Sequence, residues 1–281
     1  MAVRIQFPDL PRGTERVAMF RTPPPEWDPE RIRRIASALG TTGEPRRAGQ
    51  FTIVRGRRSV LEIYRASDSL RWGLQSFDRE DRRVSDPPPD AAEALEIAGS
   101  FIDRAGLADP RASFHSLGRS EVVQAERDGT ETARVTAVHV NYRFELAGLP
   151  VLGPGAKMQV SIDGRRRVVE AYRFWREPVE AEPMAAIPAE LAAEVLAADA
   201  MFADLDDESA RVTIDHVELG YHAFPPMDRQ GTLLPVYAFS GVISTRFLER
   251  YEFTRRALAV DLTPEDVKRA GTLGQRLEPI F

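Results

Sequence analysis

The chain has no cysteine, one asparagine (Asn141) and two lysines (Lys157 and Lys268) in 281 residues. Without cysteine there is no disulfide, no Cys-ligated zinc and no thiol nucleophile. No apolar run reaches the roughly 18 residues a membrane-spanning helix needs. Residues 1–10 lack the basic start and apolar core of a secretory signal. The chain is therefore expected to be cytoplasmic, or trimmed from an exported or anchored parent. A basic excess is also missing. The net charge of −5 argues against general affinity for nucleic acid. The basic runs at 31–34, 46–47 and 165–167 are scattered and split by carboxylates, as solvated faces are. Arginine far outnumbers lysine, which fits a GC-rich genome better than a thermophile that avoids labile residues.

The catalytic inventory is equally thin. There is no Gly-x-Ser-x-Gly elbow for a serine nucleophile. The loop Gly153-Pro154-Gly155 lacks the third glycine of a dinucleotide fingerprint and the Gly-Lys-Ser/Thr of a phosphate loop, so it reads as a turn. His216, Glu218 and His222 share one face of a strand, but at ~3.3 Å per residue the two histidines stand about 20 Å apart, too far for one ion. Asp204, Asp206, Asp207 and Glu208 lack the glycine and distal glutamate of a calcium loop. No catalytic, cofactor-binding or metal-binding residue is assigned, and no cofactor is expected.

What is present is strand pattern. Hydrophobic residues make up 43% and charged residues 29%, ordinary for a globular chain long enough for about two domains. Residues 140–177 organise the rest. Val138, Val140, Tyr142, Phe144 and Leu146 alternate strictly with polar neighbours, the mark of a half-buried strand. Met158, Val160 and Ile162 repeat the pattern. Asp163-Gly164 predicts a two-residue hairpin with positive φ at the glycine. A third strand covers 167–176.

Taken in order, residues 16–21 read as a strand. Asp28 caps a helix that has Pro29 at its first position, the stripe Ile32, Ile35, Ala36 and Leu39, and a stop at Gly40. Three strands follow at 51–55, 60–65 and 70–77. After the prolines at 87–89, Asp90 opens a helix to Ala105 that Gly106 ends. Strands are expected at 113–126 and 132–146. The acidic stretch 177–183, with two prolines, reads as a boundary. A helix over 188–202, strands at 210–223, 233–247 and 251–261, and a short helix from Thr263 to Gly271 complete the chain.

The expected architecture is α+β: tandem helix-plus-antiparallel-sheet units over 1–86, 87–180 and 181–281. Within the central unit, Tyr-x-Phe-x-x-x-Gly-x-Pro-Val-x-Gly (142–153) and Val-x-Ile-Asp-Gly-x-x-x-x-Val (160–169) are similar to the propeptide region of thermolysin-like proteases. They also resemble the wider PepSY-like group, including the YycH/YycI-type regulators. The resemblance covers 90–177 well and 188–246 loosely. It implies a helix packed across a small sheet, a binding or inhibitory function, and no catalytic residues. It also implies an extracytoplasmic, cell-envelope location, with a membrane anchor missing from this chain.

The expected function is a non-enzymatic binding or regulatory module that meets a protein or peptide through a sheet face or edge. The alternatives are a propeptide-like protease inhibitor or chaperone, and a small-ligand carrier or enzyme with a pocket between helix and sheet. The candidate interaction surface is Tyr172, Arg173, Phe174, Trp175 and Arg176, where aromatics and arginines of the kind enriched at interface hot spots cluster.

Overall fold

The structure, a computed structural model, describes residues 4–11, 14–75, 86–125, 131–203 and 210–262. The first helix, α1 (Pro29–Ala38), begins where Asp28 accepts the Arg31 amide at 2.8 Å. The second, α2 (Ala91–Ala105), begins where Asp90 accepts the Glu93 amide at 3.0 Å, and it stops at Gly106 in the left-handed region. Both ends follow from the local sequence. A carboxylate satisfies an orphan N–H of the first turn, and glycine takes a positive φ without strain.

The strands are β1 (Arg4–Gln6), β2 (Arg16–Arg21), β3 (Arg46–Ala48), β4 (Phe51–Arg55), β5 (Ser59–Tyr64), β6 (Ser69–Leu74), β7 (Ala112–Ala125), β8 (Glu131–Leu146), β9 (Leu149–Leu152), β10 (Lys157–Asp163), β11 (Val168–Phe174), β12 (Val179–Ala185), β13 (Arg211–His222), β14 (Thr232–Thr245) and β15 (Leu248–Leu258). All fifteen join one mixed sheet in the order β12-β2-β14-β13-β9-β8-β10-β11-β6-β5-β4-β3, with β1 beside β13, β15 beside β14 and β7 beside β8. Two pairings are parallel, β1 with β13 and β9 with β13; the others are antiparallel. The short β9 joins the two halves through two-residue pairings on each side.

This overturns the expected tandem α+β arrangement. The described chain is mostly strand, and its strands do not sort by position in the sequence. The N-terminal β1 and β2 pair with β13 and β14, in the half built by the C-terminal residues. β6, from the first expected unit, pairs with β11 of the second, so the two share one sheet. The stretch 177–183, expected as a boundary, holds β12 on β2. Its Pro183 falls at the register shift between Ala181 and Met184, on an outer strand, where a missing N–H costs no ladder bond.

Periodicity finds faces but does not name neighbours. That is why most strands were legible, though not β3, β9 or β12, and their partners were not.

The core is correspondingly continuous. Ile32 of α1, Leu39 at its C-terminal cap, and Phe101 and Ile102 of α2 share a cluster with Leu61, Trp72, Val140, Val160 and Ile162 of the sheet and with Trp175 just beyond β11. The same cluster reaches Phe20, Tyr221 and Leu233 in the other half. Each such side chain contributes about 1.5–3 kcal/mol on burial. A second cluster lies under α3 (Ala189–Ala197) and α4 (Ala200–Ala203), where Leu196 and Phe202 pack with Tyr237 and Phe239. The helix expected over 188–202 is thus broken at Asp199, whose side chain accepts the Met201 amide at 2.8 Å.

The hairpin at Asp163 is present but built differently from the expected turn. Positive φ falls on Arg166 (58°), and Asp163 Oδ1 accepts the Arg165 and Arg167 amides. The acidic residues 204–208, the turn at 127–129 and the helix from Thr263 lie outside the described residues.

Candidate functional site: a free sheet edge beside an aromatic strand

The five residues singled out on β11 and just beyond it separate onto two faces. Trp175 is 1% exposed and stacks on Phe144 with centroids 4.1 Å apart. Arg176 is 4% exposed. Its guanidinium donates to the carbonyls of Phe224 (2.8 Å), Pro225 (2.7 Å) and Asp228 (2.7 Å), so it ties the loop between β13 and β14 to the sheet. Burial pushes that guanidinium down to about 10, still charged at neutral pH.

Tyr172 and Phe174 face the other way, half-buried. They stack at 4.6 Å, and Phe174 continues edge-on to Tyr64 at 5.3 Å and Tyr64 to Phe51 at 5.2 Å. An aromatic rail thus crosses the open face, over Ser69 of β6. β11 itself lies between β10 and β6, so it offers no free edge along Glu170–Arg173.

Arg173 sits within a line of alternating charge. Arg31 meets Asp68 at 2.5 Å, Asp68 meets Arg173 at 3.3 Å, Arg173 meets Asp109 at 3.2 Å, Asp109 meets Arg111 at 2.8 Å and Arg111 meets Glu177 at 2.8 Å. Burial pushes the Asp109 carboxyl up, but the side-chain and backbone hydrogen bonds from Arg111 outweigh it and draw it down to about 2. The line ties α1, the β5–β6 turn, β11 and the chain before β7 together, with every carboxylate occupied.

The free edge lies two strands beyond β10. β7 is 14 residues long and pairs on one side only, with β8. Phe114, Leu117, Val122 and Val123 on it are exposed, Val123 by 58%. The other outer strands are blunted. β3 is three residues, two of them arginine. β12 carries Pro183 and a bulge. β15 has five charged residues in eleven, whereas β7 has two, Arg119 and Glu121, in fourteen. Short length, charge and proline are the devices that keep sheet edges from pairing with other chains, and β7 has few of them. Sequence reasoning recognised this strand but not its exposure. The readable signal was Val122-Val123: adjacent apolar residues break period two, so one of them must face outward.

Among the described residues no group of three or more His, Asp or Glu is placed to hold a metal ion. His216 and His222 remain on one face of β13. His222 is pushed down to about 3 by burial and by the charges of Arg256 and Arg176. Gly153-Pro154-Gly155 serves close packing: a Cβ at Gly155 would overlap the Phe224 carbonyl. On the open face, His139 bridges Ser120 (2.7 Å) and Ser161 (2.8 Å), and Gln159 donates to Asn141 at 2.7 Å. This polar ladder has no carboxylate bonded to the imidazole, so it lacks the orienting third group of a nucleophilic triad. No helix among the described residues is long and apolar enough to cross a membrane.

No protein-family model matches the chain, and no curated protein matches it. Among solved structures, the crystal structure of YycH from Bacillus subtilis matches with a TM-score of 0.45 and 10% identity, over 81% of this chain and 51% of that one. This chain therefore spans about half of YycH. The crystal structure of an uncharacterized protein from Eubacterium rectale ATCC 33656 matches with a TM-score of 0.51 and 10% identity, over 92% of this chain and 88% of that one. At that identity the likeness is one of fold alone.

Proposed function

We propose that this protein is a non-enzymatic binding module that takes an extended polypeptide segment along the free edge of β7. The observation that carries the reading is a 14-residue outer strand with four exposed large apolar side chains. Main-chain hydrogen bonds to such an edge supply affinity, and side chains at alternate positions supply selectivity. The occupant is a flexible segment with apolar residues at every second position. A second copy of β7 fits less well. β7 is irregular between Phe114 and Ser116 and between Ser120 and Glu121. Such bulges twist an edge; two twisted edges meet poorly, whereas a flexible segment follows the twist. A regulatory role at the cell envelope, as the PepSY-like resemblance implies, is part of the same proposal.

The test is selection of 12-residue peptides from a display library on the full chain, followed by binding to the Leu117→Lys/Val123→Lys variant. Selected peptides are expected to alternate apolar residues and to bind the variant at least tenfold more weakly. Peptides without that pattern, or unaffected by the variant, would overturn the reading. Reversible dimerisation abolished by the same variant would assign the edge to a second copy.

A further inference from the structure

A cavity of about 500 Å³ opens where β9 joins the two halves of the sheet. His115 of β7, Asn141 and Arg143 of β8, Lys157 of β10, Tyr172 of β11 and Glu218 of β13 are among its walls. Its charges are sorted. Arg143 and Lys157 stand directly opposite each other on the antiparallel pair β8–β10. Like charges so placed repel, and cost stability unless something neutralises them. Glu145, two residues along β8, takes Arg143 at 2.9 Å. Lys157 has no ion pair among the described residues; its ammonium lies 5.8 Å from the Tyr172 ring centroid. Glu218, from β13, lines the same cavity. An unpaired lysine with an aromatic ring near it, an arginine beside it that Glu145 partly neutralises, and a carboxylate from another strand make a cleft that carries both signs of charge.

We infer that this cleft holds a carboxylate of a bound peptide on Lys157, with Arg143 beside it, and the peptide's amino group or N–H donors toward Glu218. A carboxylate is favoured over a phosphate because Glu218 would repel a dianion entering the same space. The inference rests on the reading of the chain as a polypeptide binder and adds a charge-selective contact to it. His115 belongs both to β7 and to the cleft, so a segment lying along the edge would bring its acidic residue there.

The test uses the tripeptide Ala-Val-Glu, too short to pair along β7, with Ala-Val-Gln amide, which keeps the amino end and lacks both carboxylates, as its counterpart, titrated by NMR on the full chain. Ala-Val-Glu is expected to shift the amides of residues 141–143, 157–158 and 172, at least tenfold more tightly than the peptide without carboxylates. Lys157→Gln/Arg143→Gln, at two exposed positions, should abolish that preference and leave the rest of the spectrum in place. Glu218→Gln should reduce the gain from a free amino end over an acetylated one. Equal binding of the two peptides, shifts elsewhere, or a double variant that still prefers Ala-Val-Glu would overturn the cleft while leaving the β7 edge standing. A preserved preference for Ala-Val-Glu, with longer peptides indifferent to the edge variant, would sustain the cleft and remove the edge.

Discussion

Leu117 of β7 lies directly opposite Val140 of β8, and the two have different surroundings: Val140 is fully buried and Leu117 is 37% exposed. Helix α2 packs over β8, β10 and β11, so Val140 lies beneath the helix and Leu117 at its margin. An apolar outer strand of this length is an aggregation hazard when nothing pairs with it. The wild-type chain is expected to aggregate irreversibly on warming, without a discrete reversible dimer beforehand, and Leu117→Lys/Val123→Lys to slow that aggregation with folding stability changed by less than about 0.5 kcal/mol. Light scattering alongside urea unfolding checks both halves.

Trp175 anchors the sheet rather than the surface. It is buried against Phe144, with the Arg111 guanidinium 5.0 Å from its ring centroid. Trp175→Ala should cost roughly 3–5 kcal/mol, read as a lowered urea midpoint. Tyr172→Ala, on the half-exposed rail, should cost markedly less.

Arg176 holds three carbonyls of one loop. Arg176→Ala leaves the Phe224, Pro225 and Asp228 oxygens without their donor, a loss of roughly 3 kcal/mol. The amides of residues 224–231 should exchange faster than the rest of the sheet. Slow exchange throughout that loop would show the clamp to be dispensable.

Acid should weaken the fold before its carboxylates titrate. His222 stays neutral in the folded chain down to about pH 3, whereas in the unfolded chain it takes its proton near 6.5. Between those values the unfolded state binds more protons, so stability falls as pH drops from 6.5 toward 3, by at most about 1.4 kcal/mol per pH unit. Burial also pushes His139 down, so His222→Gln should flatten the slope in part. Asp109 acts lower: its contribution is full above about 3.8 and is lost as pH falls through about 2. Urea midpoints at pH 7, 5.5 and 4.5 for the wild type and His222→Gln isolate the histidine term.

Much of the local structure was legible in the sequence. Asp28, Asp90 and Gly106 mark helix ends where carboxylate caps and a left-handed glycine stand. The alternation from Val138 to Leu146 gives the buried face of β8. What the residues did not reveal was pairing across distance. Nothing in the sequence around Arg16 states that β2 will lie between β12 and β14, because any half-buried strand offers the same alternation to any partner. The site was affected by the same gap. Tyr172 to Arg176 drew attention by composition, yet two of the five, Trp175 and Arg176, are buried. Phe114 and Val123 look like core by composition, and only the place of β7, paired with β8 on one side and with no strand on the other, leaves them outside.

The most direct measurement is residue-resolved amide hydrogen exchange of β7, with and without a saturating peptide from the display selection. Protection is expected to rise at alternate amides of residues 112–125, the ones facing away from β8, and to leave β3 and β15 unchanged. Unchanged exchange along β7 in the presence of a bound peptide would contradict strand addition at this edge.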